Sequence, residues 1–188
     1  MGALKIDMVG KRKENLSEDE ARAQARQLVK EGARLLQLQR PGEAAELLEQ
    51  AWRLAPGDPD IAVNLGGAYV MQHRWTKATR FLEAATRAHP DNAMLWVNLA
   101  TAYLGPLEIS GPKAQEQAVA AFEEALRCDP LIPNVHYSLG LIYKHRGEYD
   151  RAAAHFWRAL EVDPNDRDAR YWLQWLQAES SGKDGGAG

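Results

Sequence analysis

The chain has one cysteine, Cys128, among 188 residues. A disulfide within the chain is therefore excluded, and a lone thiol fits a reducing, cytoplasmic setting. No stretch of about 18 apolar residues exists, so no membrane-spanning helix is expected. The opening Met1-Gly-Ala-Leu-Lys-Ile-Asp7 lacks the continuous apolar core of a secretory signal. Gly2 does not make a myristoylation site, because Ile6 stands where Ser or Thr is required. Charge of one sign is also lacking: 23 basic against 26 acidic residues leave a net −3, no field to draw in nucleic acid. The one basic cluster, Lys11-Arg12-Lys13, is short and reads as a solvated segment. There is no glycine-rich phosphate loop, no H-E-x-x-H, and no recognisable grouping of Ser, His and Asp. Nothing here calls for an enzyme, a metal or a cofactor.

What the chain does have is a proline that returns in register. Pro56, Pro90, Pro130 and Pro164 are separated by 34, 40 and 34 residues. Twelve residues before each stands an alanine: Ala44, Ala78, Ala118, Ala152. Eight before stands Leu48, Leu82, Phe122 or Phe156, and five before stands Ala51, Ala85, Ala125 or Ala159. Within each unit two apolar stripes recur at helical spacing, such as Ala62, Leu65, Gly66, Tyr69 and then Ala78, Leu82, Ala85. Small residues let helices approach and larger ones fill the gaps. One such helix pair cannot bury its apolar face alone, so a stacked array is expected.

The front halves carry the resemblance. Leu65-Gly66-x-x-Tyr69, Trp96-x-x-Leu99-Ala100-x-x-Tyr103 and His136-x-x-Leu139-Gly140-x-x-Tyr143 join the later Ala, Phe and Pro positions into one pattern. The chain resembles the tetratricopeptide repeat (TPR) family over residues 23–178. The first unit is degenerate: it keeps Gly32 but has Leu28, Glu31 and Leu35 where Trp, Leu and Tyr are usual. The resemblance implies an all-α, right-handed superhelix of helix-turn-helix units with a C-terminal capping helix. Four repeats are expected at about 25–58, 59–92, 93–132 and 133–166 and a capping helix over 166–178, within an array spanning 17–178. A leader, 1–16, and a glycine-rich tail, 179–188, are expected to be flexible. Ser17-x-x-Glu20 is a capping box, so the first helix should start there. His136, in the Trp position, should pack; His145 and His155 fall on different helices of one repeat and make a poor metal pair.

A second stripe runs along the first helix of each unit. It includes Lys30, then Val63, Asn64, Gly67 and Met71, then Met94, Val97, Asn98 and Thr101, then Tyr137, Ser138 and Leu141. In the family this stripe lines a concave groove that holds extended peptides or partner helices. Asn64 and Asn98 hold equivalent positions, and an amide that both donates and accepts suits a peptide main chain. The pair resembles the asparagine ladder in the TPR region of O-linked N-acetylglucosamine transferases. The carboxylate clamp with which other family members hold acidic chaperone tails does not carry over. Val29, Ala33, Met94 and Asn98 occupy four of its five positions, leaving only Asn64.

Two features lie outside the pattern. Six extra residues enter the third repeat in Gly105-Pro-Leu-Glu-Ile-Ser-Gly-Pro112, bracketed by two Gly-Pro pairs. They read as a tolerated loop or as a partner contact through Leu107 and Ile109. The last helical segment is aromatic: Ala169, Trp172, Leu173 and Leu176 share one face and place Trp172 in the core, while Tyr171 and Trp175 point elsewhere. Aromatics of this kind suit a protein interface, including a homo-oligomer through the C-terminal helix. The expected function is a non-catalytic protein-interaction module; the alternative is an assembly subunit that docks by its ends and convex face.

Overall fold

A computed structural model describes the backbone of residues 16–184 and the side chains to residue 179. The sequence expectations for 1–15 and 185–188 lie outside the described residues. The described chain is nine α-helices and one 3₁₀ turn, without strands. They are α1 (Glu18–Gln37), α2 (Pro41–Leu54), α3 (Pro59–Met71), α4 (Trp75–Ala88), α5 (Ala93–Leu104), the 3₁₀ turn (Leu107–Ile109), α6 (Pro112–Cys128), α7 (Val135–His145), α8 (Tyr149–Val162) and α9 (Arg167–Asp184). Consecutive helices pack as antiparallel pairs, and each pair packs on the next.

Local chemistry sets the helix ends. The capping box forms: Glu20 N–H donates to Ser17 Oγ at 3.2 Å and Ser17 N–H to a Glu20 carboxylate oxygen at 2.8 Å. Those bonds hold the Glu20 carboxyl below its ordinary range. Asp58 and Asn92 cap α3 and α5 through their side-chain oxygens. The turns inside repeats 1, 2 and 4 share one device. Gln39, His73 and Gly147 adopt φ of 57°, 55° and 75°, and each is flanked by the paired bonds of a Schellman motif. Arg40 N–H reaches Leu35 O at 2.9 Å, Arg74 N–H reaches Tyr69 O at 3.0 Å and Glu148 N–H reaches Tyr143 O at 2.9 Å.

Within a repeat the two helices touch through glycine. A methyl group on Gly66 would sit 2.3 Å from Leu82, and one on Gly140 2.6 Å from Phe156. Between repeats a tyrosine on the incoming helix bonds a glutamate of the previous pair. Tyr69 Oη donates to Glu49 at 2.9 Å, and Tyr103 Oη to Glu83 at 2.7 Å. Burial and that glutamate push the Tyr103 phenol up to about 12. The third pair of this series, Tyr143 with Glu123, does not form; Tyr143 Oη accepts from Arg151 at 2.6 Å instead. This is the junction that follows the six-residue insert, and α6 packs on α7 more sparsely than second helices pack on first helices elsewhere.

The insert is not a free loop. Three of its residues lengthen α6, which starts 18 residues before Pro130, whereas α2, α4 and α8 start 15 before their prolines. The rest forms the 3₁₀ turn, which touches α7. Buried Gln115 ties it down, donating to Ser110 O at 2.8 Å and accepting from Arg146 Nε at 2.9 Å. Leu107 packs on the core while Ile109 is 82% exposed. The two residues expected to act together are therefore separated.

α9 stands where the first helix of a further repeat would stand, and it runs to Asp184, past the 178 expected from sequence. Ala169, Leu173 and Leu176 are buried against the last repeat. The positions that meet a second helix elsewhere, such as Ala62, Gly66 and Tyr69, are here the exposed Arg170, Gln174 and Gln177. No second helix follows among the described residues, and that face is accordingly polar. Trp172 is not core: it and Trp175 are both half-buried at the edge.

Candidate functional site

The first helices α1, α3, α5, α7 and α9 share a repeating set of positions on one open face. Seven residues after each proline stand Val63, Val97, Tyr137 and Tyr171. Eight after stand Asn64, Asn98, Ser138 and Trp172, with Lys30 their counterpart in α1. Eleven after stand Gly67, Thr101, Leu141 and Trp175. Most are half-buried; Lys30, Met94 and Tyr171 are exposed and Met71 is half-buried. Of the four side-chain hydrogen bonds along the face, one runs between neighbouring repeats and three stay within a helix. Asn98 Nδ2 donates to Val63 O at 2.9 Å, so Asn98 ties α5 to α3. Asn64 Nδ2 instead bonds Asp60 O on its own helix at 2.8 Å. Thr101 and Ser138 turn their hydroxyls back onto Val97 O and Asn134 O, both at 2.9 Å. The asparagine ladder is thus partly committed to the fold. Among the described residues neither Oδ1 has a bond, leaving acceptors open along the face.

At one end of this face α1 overhangs the α2–α3 turn by two helical turns. The cleft beneath, about 740 Å³, is open and lined by Leu16, Arg22, Arg26, Val29, Asp58 and Asp60 among others. At the other end Lys144 Nζ sits 3.8 Å above the Trp172 ring centroid and 5.4 Å from that of Trp175. Trp175 meets Tyr149 edge-on at 5.9 Å, and Tyr171 meets Trp172 edge-on at 5.0 Å. Tyr171 and Trp175 were expected to point away from the face that includes Trp172. Their positions after Pro164 place all three on the shared face, a signal the sequence holds but that only a register extended into α9 reveals.

His136, expected to pack, is half-buried and does so against His155. His136 and His155 bring their Nδ1 atoms to 3.2 Å, and His155 stacks on Tyr143. Burial, the His136 charge and the Arg151 charge push His155 down to about 4; burial and Arg158 lower His136. Among the described residues no group of three or more His, Cys, Asp or Glu could hold a metal ion. Cys128 is half-buried with Sγ 3.3 Å from Pro90 O. No described helix is long and apolar enough to cross a membrane.

The tetratricopeptide repeat profile matches residues 35–104, and a second profile of the same description matches 133–166. The chain belongs to the tetratricopeptide repeat family. The unmatched stretches are residues 1–34, which include the degenerate front of the first repeat, residues 105–132 with the insert and α6, and residues 167–188 with α9. Among solved structures, the TPR protein TTC0263 of Thermus thermophilus superposes with a TM-score of 0.71 at 23% identity, covering 83% of this chain and 82% of that one. The fold is the TPR superhelix. A peroxisomal targeting signal receptor of Candida albicans is 28% identical over 121 residues, 62% of this chain and 19% of the receptor. The BBSome complex member BBS4 of Bos taurus is 34% identical over 113 residues, 60% and 21%. The chain spans about a fifth of the length of these curated relatives.

Proposed function

We propose that this TPR chain is a non-catalytic interaction module that binds an extended peptide or partner helix in the concave groove formed by its first helices. One observation carries the reading. Equivalent positions on five helices form a continuous half-exposed row of Val, Asn, Gly, Thr, Leu and aromatic residues, with the Asn64 and Asn98 carbonyls unoccupied. Apolar positions offer contact area, and the amide oxygens accept from a ligand main chain. Relatives named as a targeting receptor and as members of assemblies are compatible with binding proteins.

The test is a peptide library selected on the 188-residue chain, followed by calorimetric titration of the winners. Replacing Asn64 by Ala should weaken binding by about 1 kcal/mol while leaving the helical spectrum unchanged. Unchanged affinity across all selected peptides would count against the groove. A second reading, an assembly subunit docking by its outer surface, is favoured by Ile109, Leu131 and Trp157. These are 82%, 70% and 55% exposed and lie off the first-helix face. Self-association that survives Trp175→Ala and disappears with Ile109→Ser or Trp157→Ser, read by sedimentation, would support it over the groove.

A further inference from the structure

The C-terminal end of the groove differs from the rest in chemistry. Along α3 and α5 the shared positions are small or amidic; along α9 they become Tyr171, Trp172 and Trp175, with Tyr137 on the preceding first helix. Lys144 reaches across from α7 and lays its ammonium on the Trp172 face. We propose that this end is a subsite for an acidic, apolar peptide segment: a carboxylate bonds Lys144 while a neighbouring Leu or aromatic side chain rests on the indoles. The inference rests on the groove reading and adds the ligand's chemistry.

Charge at this end decides the sign of the partner. Lys144 makes no ion pair with any described residue, although half-buried Arg146 and exposed Arg151 of the same repeat share Glu148. Asp168, one turn before Trp172, forms no ion pair with Lys144. The indole faces hold the ammonium by cation–π attraction. They give it no oxygen acceptor, so its N–H groups that point away from the rings are available. A cationic ligand would meet like charge at once. A carboxylate would gain a charge-assisted bond to a donor whose side chain is already ordered, and so would lose less entropy on binding. The exposed Tyr171 ring beside Trp172 extends the apolar floor on which the adjoining side chain would lie.

The probes are synthetic 12-residue peptides with Leu or Trp flanked by Asp or Glu, matched sets with Asn or Gln in place of the acids, and sets with Lys. Binding to the full chain is followed by anisotropy of a label on each peptide. The acidic set should bind at least about tenfold tighter than the amide set and should weaken as salt rises. Lys144→Gln should erase the difference between acidic and amide sets, and Lys144→Arg should restore it. Trp175→Ala should weaken both sets together. Asn64→Ala separates the two levels. If peptides depend on Asn64 yet show no acidic preference, or keep it in Lys144→Gln, the groove stands and this subsite is wrong. If binding ignores Asn64, Lys144 and Trp175 alike, or no set binds, both fail.

Discussion

Asn98 is the residue whose role changed most between sequence and structure. Its register makes it a groove amide equivalent to Asn64, but its Nδ2 bridges α5 to the Val63 carbonyl. Asn98→Ala is therefore expected to lower stability by about 1 kcal/mol, and Asn64→Ala, whose amide bonds only its own helix, by less; denaturant melts of the two variants check the order. Gln39 gives the opposite case. It holds φ of 57° in a turn where repeat 4 uses Gly147, so Gln39→Gly should stabilise by about 1 kcal/mol. A lower melting temperature would show that the left-handed turn is not strained there. His155 sets a pH dependence. Its folded-state value is about 4, below the ordinary 6.5, so the unfolded chain takes up protons first. Stability from this group is complete above about pH 6.5 and is lost as pH falls toward 4. The facing groups are His136, Arg151 and Tyr143. His155→Phe should flatten the melting temperature across that window relative to the parent chain.

At the scale of elements, the insert and α9 are where repeat logic bends. A loop of six residues is cheap by closure entropy alone, which is why sequence suggested a dispensable segment. Leu107 packed on the core and Gln115 bonded to Ser110 make it part of the third junction. Leu107→Ala should thus cost about 1–2 kcal/mol, while Ile109→Ala, at 82% exposure, should cost under about 0.5. Equal effects in thermal melts would contradict this division. For α9, the alternation of buried Ala169, Leu173 and Leu176 with exposed Arg170, Gln174 and Gln177 follows from a neighbour on one side only.

For the whole molecule, the recurrence of Pro, Ala, Gly and Phe positions was enough to read the fold, because every repeat buries the same atoms against the next. The site was legible only as a row of positions. Which amides the fold itself consumes, and which cation an indole captures, depend on contacts across repeats that no single-repeat pattern contains. Asn98 and Asn64 look identical in register and differ only in partner. Trp172 falls beside a core position on the helix, yet it packs at the edge of the core and under Lys144. The groove claim has one most direct test: hydrogen–deuterium exchange of the full chain with and without a library-selected peptide. Binding in the groove predicts slowed exchange in α3, α5, α7 and α9, with α2, α4, α6 and α8 little changed. Protection confined to the second helices and the 105–112 segment would contradict it.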